Sequence, residues 1–202
     1  MSQFYHLIDL RQGFKPQKDW AVFLDRDGVL IKEVHHLVDL RKLEFLPLAV
    51  EAVRMLNKRG IPVFLTTNQT VVARGLCRED FILKTHEKIK EKLARKGAFL
   101  DGIVYCPHSV EADVAKYRLD CDWRKPKEGM FEFIIDRYQF KAKKSYGIGD
   151  KARDILAYQK LGIKDILVLT GYAGKDLLYS AEPSVIKKDI MKAVKYILEQ
   201  HE

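Results

Sequence analysis

The stretch Trp20-Ala21-Val22-Phe23-Leu24-Asp25-Arg26-Asp27-Gly28 decides how this chain is read. A short apolar run closed by a glycine turn predicts a buried parallel strand whose carboxyl end opens into a loop. Open α/β sheets bind their ligands at that end, which puts Asp25 and Asp27 at a candidate active site. Two carboxylates so close repel each other unless a cation lies between them. The pair therefore predicts Mg2+, which takes hard oxygen ligands and keeps water and substrate phosphates in its shell.

The same design recurs downstream as Tyr146-Gly147-Ile148-Gly149-Asp150, with Asp154 one helical turn later. Between the two lie Phe64-Leu65-Thr66-Thr67-Asn68 and Arg124-Lys125-Pro126. Around these landmarks helical and strand patterns alternate. Helices are predicted over 47–59, 78–95, 129–138, 151–161 and 186–198, the last amphipathic. Strands are predicted over 61–66, 100–106, 144–148 and 166–169. This alternation predicts a parallel sheet with crossover helices.

The 202 residues, 47% of them hydrophobic, suffice for one sizeable core, and no window is apolar enough to cross a membrane. The start lacks the apolar stretch of a signal peptide, so a cytoplasmic protein is expected. Three cysteines, Cys77, Cys106 and Cys121, imply no disulfide framework. The net charge of +8 is interleaved with glutamates along helices, which reads as a solvated surface rather than a nucleic-acid site, and no stacking stripe supports a polynucleotide phosphatase. A basic surface also attracts a doubly phosphorylated sugar.

In order, FLDRDG (23–28), TNQTVVARG (67–75), YCPH (105–108) and RKP (124–126), followed by GIGD (147–150), closely resemble the motifs of the haloacid dehalogenase superfamily of phosphohydrolases. The branch most similar holds the heptose bisphosphate and histidinol phosphatases. The resemblance implies a Rossmann-like three-layer α/β sandwich with a central parallel sheet. Neither place where this superfamily inserts a cap holds enough residues for one, so no cap domain is expected. Residues 1–19 precede the resemblance and read as an N-terminal extension to a single domain over 20–202. The loops 30–45 and 107–123 become the candidate specificity walls.

The resemblance also implies roles. Asp25 is the expected nucleophile, forming an aspartyl phosphate, and Asp27 the acid and then the base. Mg2+ is expected on Asp25, the Asp27 backbone carbonyl and Asp150, with Asp154 either supporting the metal or capping its helix. Thr67 and Lys125 are expected on the transferring phosphoryl oxygens. Asn68 and Gln69 are expected to bind substrate hydroxyls, or else to fix their turn. Arg74 and Arg124 are the expected hold on a second phosphate or the sugar, since a guanidinium fork matches phosphate oxygens.

The chain departs from its branch at one loop. Relatives carry a structural zinc on Cys-x-His and Cys-x-Cys, whereas this chain has Cys106, His108 and Cys121 with Trp123 in the fourth position. An indole is no ligand, so loss of stable Zn2+ is expected, unless Asp120, Asp122 or water completes the shell. The expected activity is Mg2+-dependent hydrolysis of a small sugar phosphate, D-glycero-D-manno-heptose 1,7-bisphosphate first, by a monomer. Histidinol phosphate is the alternative, with Glu33, His35, His36 and Asp39 as candidate walls. A non-catalytic sugar-phosphate-binding module is the reading from another class, and the intact motifs argue against it.

Overall fold

A computed structural model describes residues 7–175 and 178–201. Its seven strands are β1 (Ile8–Leu10), β2 (Val22–Leu24), β3 (Val63–Asn68), β4 (Gly102–Cys106), β5 (Tyr146–Gly149), β6 (Lys164–Val168) and β7 (Val185–Lys187). Its five α-helices are α1 (Ala49–Lys58), α2 (Glu79–Ala94), α3 (Gly129–Tyr138), α4 (Ala152–Leu161) and α5 (Ile190–Glu199). The strands form one sheet in the order β1-β4-β3-β2-β5-β6-β7, parallel throughout except for β1.

Strand β2 is the central one, and Val22, Phe23 and Leu24 are wholly buried. Their side chains alternate between two cores. Val22 and Leu24 pack with α1, α5 and the end of α2 through Val53, Leu56, Leu93, Val194 and Ile197, while Phe23 faces α3 and α4 through Phe131, Ile134 and Tyr158. The result is a three-layer sandwich, as the family resemblance implies. Leaving β2 the chain moves to β3 and β4; leaving β5 it moves the other way to β6 and β7. The boundary between β2 and β5 is therefore a topological switch point, where the strand ends leave a crevice.

Two strands escape the sequence reading, and both are short edges. Ile8, Asp9 and Leu10, inside the segment read as an extension, pair antiparallel with Val104, Ile103 and Gly102, and Leu7 beside them is fully buried. At least this part of residues 1–19 is packed on the domain. Val185–Lys187 pairs with β6, so the last helix begins at Ile190 and not at 186. A side-chain oxygen of Asp189 caps it by accepting the Lys192 N–H at 2.9 Å. Among the described residues no cap domain is inserted, and no helix is long and apolar enough to cross a membrane.

Candidate active site

The switch point brings Asp25, one residue past β2, beside Asp150, one residue past β5. Two glycines make this approach possible. Gly28 and Gly171 have φ of +82° and +62°, and a Cβ on either would lie 2.3 or 2.2 Å from Asp150 Oδ2. That oxygen accepts the Tyr172 N–H at 2.8 Å, whereas Asp150 Oδ1 is buried with no hydrogen-bond partner. Ligand oxygens of Asp25, Asp150 and Asp154 lie within 4.8 Å of one another, all buried. Burial above all, with the Asp25 and Asp154 carboxylates added, pushes Asp150 well above the usual carboxylate range, although Lys151 opposes this. A buried carboxyl with an orphaned oxygen and two acidic neighbours is a site that a divalent cation relieves.

Lys125 answers the other side of the cluster. Its side chain is 1% exposed, and its Nζ donates to Asp25 Oδ1 at 2.8 Å and to the Thr66 carbonyl at 2.9 Å while lying 2.6 Å from Asp154 Oδ1. Burial works against charge on Asp25, but Lys125 and Lys151 outweigh it and hold the carboxyl below its ordinary range. Burial likewise opposes charge on Lys125, and Asp154 and Asp25 overcome it. Asp154 caps its helix, Oδ2 accepting the Lys151 N–H at 3.1 Å at the start of α4, while Oδ1 pairs with Lys125.

Asn68 faces the crevice and also clasps a neighbouring loop. Its side-chain Nδ2 donates to the Lys125 carbonyl at 3.0 Å and its Oδ1 accepts the Lys125 N–H at 3.1 Å, gripping the peptide that delivers the lysine. Gln69, 3% exposed, donates Nε2 to Asp27 Oδ2 and to Thr67 Oγ1, each at 2.9 Å. The Asp27 carboxylate is also gripped by the buried Arg26, which donates Nε to Oδ2 and Nη2 to Oδ1 at 3.1 Å. Sequence reasoning passed over Arg26; its signal is a cation set between two carboxylates on a buried strand end.

A cavity of about 460 Å³ opens above these groups. Arg74 and Arg124 line it as expected, and Arg124 Nη1 also donates to the His108 carbonyl at 2.9 Å. Lys151 and Arg153 line it as well, and nothing in the sequence reading singled them out. The available signal was their place just after Asp150, at the amino end of a helix, where anions bind. Lys151 Nζ pairs with Glu33 Oε2 at 2.8 Å. Glu33, His35 and His36 complete one wall, while Asp39 is turned away to Arg41 at 2.7 Å and caps the short turn at Leu40–Lys42.

At the departing loop, Cys106, His108 and Cys121 converge with their ligand atoms within 4.8 Å, all buried, and Cys106 Sγ lies 3.7 Å from His108 Nδ1. Hydrogen bonding from the Cys106 thiol first, and from His108, holds the Cys121 thiol down at about 5 against its burial. The fourth corner is not supplied by an aspartate. Asp120 and Asp122 are exposed and pair with Lys127 at 2.8 and 3.3 Å. Trp123 packs its ring 5.3 Å from Phe133 and bridges two apolar clusters.

Comparison with known proteins agrees with this geometry. A family model described as HAD-hydrolase-like matches residues 122–193. The D-glycero-beta-D-manno-heptose-1,7-bisphosphate 7-phosphatase of Pasteurella multocida is 37% identical over 89% of this chain and 91% of its own. The D-glycero-D-manno-heptose-1,7-bisphosphate 7-phosphatase of Thermosynechococcus vestitus is 36% identical over 88% and 94%. Among solved structures, the D,D-heptose 1,7-bisphosphate phosphatase of B. bronchiseptica, complexed with magnesium and phosphate, superposes with a TM-score of 0.80 at 29% identity, covering 90% of this chain and 99% of that one. With relatives of this identity and coverage, carrying the same fold and a switch-point carboxylate cluster of the expected kind, the chain belongs to the haloacid dehalogenase-like phosphatases, in the family of the heptose bisphosphate phosphatases.

Proposed function

We propose that this phosphatase removes one phosphate from D-glycero-D-manno-heptose 1,7-bisphosphate with Mg2+ as cofactor. The observation that carries the reading is the pairing of two charged zones: a buried Asp25–Lys125–Asp154 cluster below, and Arg74, Arg124, Lys151 and Arg153 around the cavity above. A substrate with one reacting and one remote phosphate matches both zones.

In the first step an Asp25 carboxylate oxygen attacks phosphorus, the bond to the sugar oxygen breaks, and Asp27 passes a proton to that oxygen. In the second, a water attacks the aspartyl phosphate while Asp27 takes its proton, releasing inorganic phosphate and restoring Asp25. Lys125 neutralises the transferring oxygens. Thr67, whose Oγ1 accepts from Gln69, keeps its hydroxyl proton to donate to them. Gln69 and Arg26 orient Asp27 for its two proton transfers. Mg2+ held by Asp25, Asp150 and the Asp27 backbone carbonyl would supply further charge neutralisation, and the orphaned Asp150 Oδ1 fits such a ligand.

A histidinol phosphate substrate needs an acidic wall for its amine. Glu33 is the one carboxylate of the His35 wall, and both its oxygens are engaged, one by Lys151 and one by the His35 N–H at 2.7 Å. The heptose reading is therefore favoured. A steady-state panel of the heptose bisphosphate, its monophosphates and histidinol phosphate tests it: the bisphosphate is expected to have the highest kcat/KM, and preference for histidinol phosphate would overturn it.

We further propose that the 107–121 loop stands without stoichiometric zinc. Three protein donors and an indole, which cannot ligate, leave the tetrahedral shell one protein ligand short. Metal analysis finding one tightly held zinc per chain would overturn this.

A further inference from the structure

The cavity over the carboxylates is bordered on one side by Glu33, His35 and Tyr172. A second recess of about 400 Å³, lined by Lys32, Glu33, His35, Leu46, Gly171 and Tyr172, lies next to it, and the two share Glu33, His35 and Tyr172. The wall between them is built from two side-chain pairs. Tyr172 Oη and His35 Nδ1 lie 2.8 Å apart, and Lys151 Nζ lies 2.8 Å from Glu33 Oε2 while sitting 4.6 Å over the Tyr172 ring.

Each partner of the first pair is itself held in place. His35 has φ +62°, a left-handed conformation that a residue with a Cβ adopts only when its surroundings hold it there. Glu33 supplies that hold through the His35 N–H. Tyr172 is anchored from the opposite side of the crevice, because its own N–H binds Asp150 Oδ2. The imidazole thus reaches from the loop after β2 to a ring fixed on the loop after β6. The polar contact is accompanied by an edge-to-face approach of the two rings, whose centroids lie 5.9 Å apart.

We propose that the His35–Tyr172 pair is the specificity-determining wall of this uncapped site, admitting compact phosphorylated sugars and excluding phosphomonoesters with a long remote part, such as a dinucleotide with a terminal 5′-phosphate. An uncapped crevice has no second domain to reject a large substrate, so rejection falls to side chains that close its flank. Removing either partner merges the first cavity with the second. This inference rests on the phosphatase reading of the site and is independent of which sugar phosphate it takes.

The test is the ratio of kcat/KM for a 5′-phosphorylated dinucleotide to that for a compact alkyl phosphate, glycerol 1-phosphate, measured on the full chain with Mg2+. Both esters use the same reacting groups, so general damage to the site cancels in the ratio. Tyr172→Ala and His35→Gly are each expected to raise it by about tenfold or more, on the scale that pocket contacts set for discrimination. Tyr172→Phe, which loses only the hydroxyl, is expected to raise it in part. The double variant is expected to rise no further than the larger single one, since both remove one contact. An unchanged ratio in Tyr172→Ala and His35→Gly overturns the proposal. So does an unchanged ratio in Tyr172→Phe, or additivity in the double variant. A chain that ignores the heptose bisphosphate yet shows the expected ratios refutes the sugar assignment and leaves the wall standing.

Discussion

The carboxylate crevice and the Cys106–His108–Cys121 loop lie on either side of Arg124-Lys125, and the two clusters of donor groups differ in what surrounds them. In the crevice Asp25 and Asp154 pair with one buried lysine, Asp150 lies within 4.8 Å of both carboxylates, and Asp150 Oδ1 accepts no hydrogen bond. Lys151 Nζ, at 3.8 Å, is the nearest cation to that oxygen and too far to hydrogen-bond it, which leaves the cluster suited to a divalent ion. In the loop, one donor position is Trp123, and its ring finds Phe133 and two apolar clusters. Apolar packing is non-directional and any well-shaped neighbour supplies it, whereas a buried charge needs a specific partner. Packing around Trp123 is thus able to hold its loop without a specific partner, whereas the buried carboxylates call for a cation.

The largest effect that sharpens this contrast is at the nucleophile. Asp25→Asn is expected to lower kcat by about 10⁴-fold or more, because the covalent step needs the carboxylate itself. Burst-free, near-wild-type turnover in that variant would remove Asp25 from the role. Next comes Asp27→Asn, expected to cost about 10²-fold or more with alkyl phosphates and less with aryl phosphates, whose leaving group needs little protonation. Equal losses on the two ester types would contradict proton donation.

At the cavity rim, Arg74→Ala is expected to lower kcat/KM for the bisphosphate by about 1.5 to 3 kcal/mol while sparing a monophosphate. An indiscriminate loss would move the remote phosphate elsewhere, with Arg153 and Lys151 the next to replace. Arg124 is the less clean probe, because it also holds the His108 carbonyl.

Stability separates the two regions by sign. The folded-state pKa of Asp150 is raised, so its protonated form is the one the fold favours. Its contribution is fully present below the unfolded carboxylate range and is lost as pH rises through the raised folded value. Asp150→Asn in metal-free protein at pH 7 is thus expected to raise Tm by about a few degrees while abolishing turnover. A lower Tm would mean that the Tyr172 N–H bond outweighs the buried charge. Trp123→Ala is expected to lower Tm by a similar amount through lost packing, with a fall in kcat as Lys125 shifts. The smallest effect belongs to a zinc-specific chelator with Mg2+ resupplied, after which Tm is expected to stay nearly constant. A drop of several degrees would restore zinc to the loop.

The reach of the sequence is clearest at Asp25, Thr67, Lys125 and Asp150. Asp25, Thr67 and Asp150 stand at or just past strand ends whose apolar runs are written locally, Lys125 stands in the loop before α3, and the structure brings all four to one crevice. Arg74 and Arg124 also line the cavity as expected. Asn68 was legible as a residue near the site but not as the clasp on Lys125, because that bond spans 57 positions.

What the sequence by itself determined is the alternation of strand and helix, the central buried strand, and the chemical identity of the groups that end it. These follow from short-range patterns: apolar periodicity, glycine turns, and carboxylates at strand ends. Only the tertiary structure decided that Ile8–Leu10 and Val185–Lys187 are edge strands, since three-residue strands with one neighbour owe their existence to hydrogen bonds from that neighbour. It alone decided that Arg26 and Gln69 share Asp27, that Lys151 turns to Glu33, and that His35 meets Tyr172 across 137 positions. Such pairs carry no local signature, because their partners become neighbours only once the sheet has ordered the loops at its carboxyl edge.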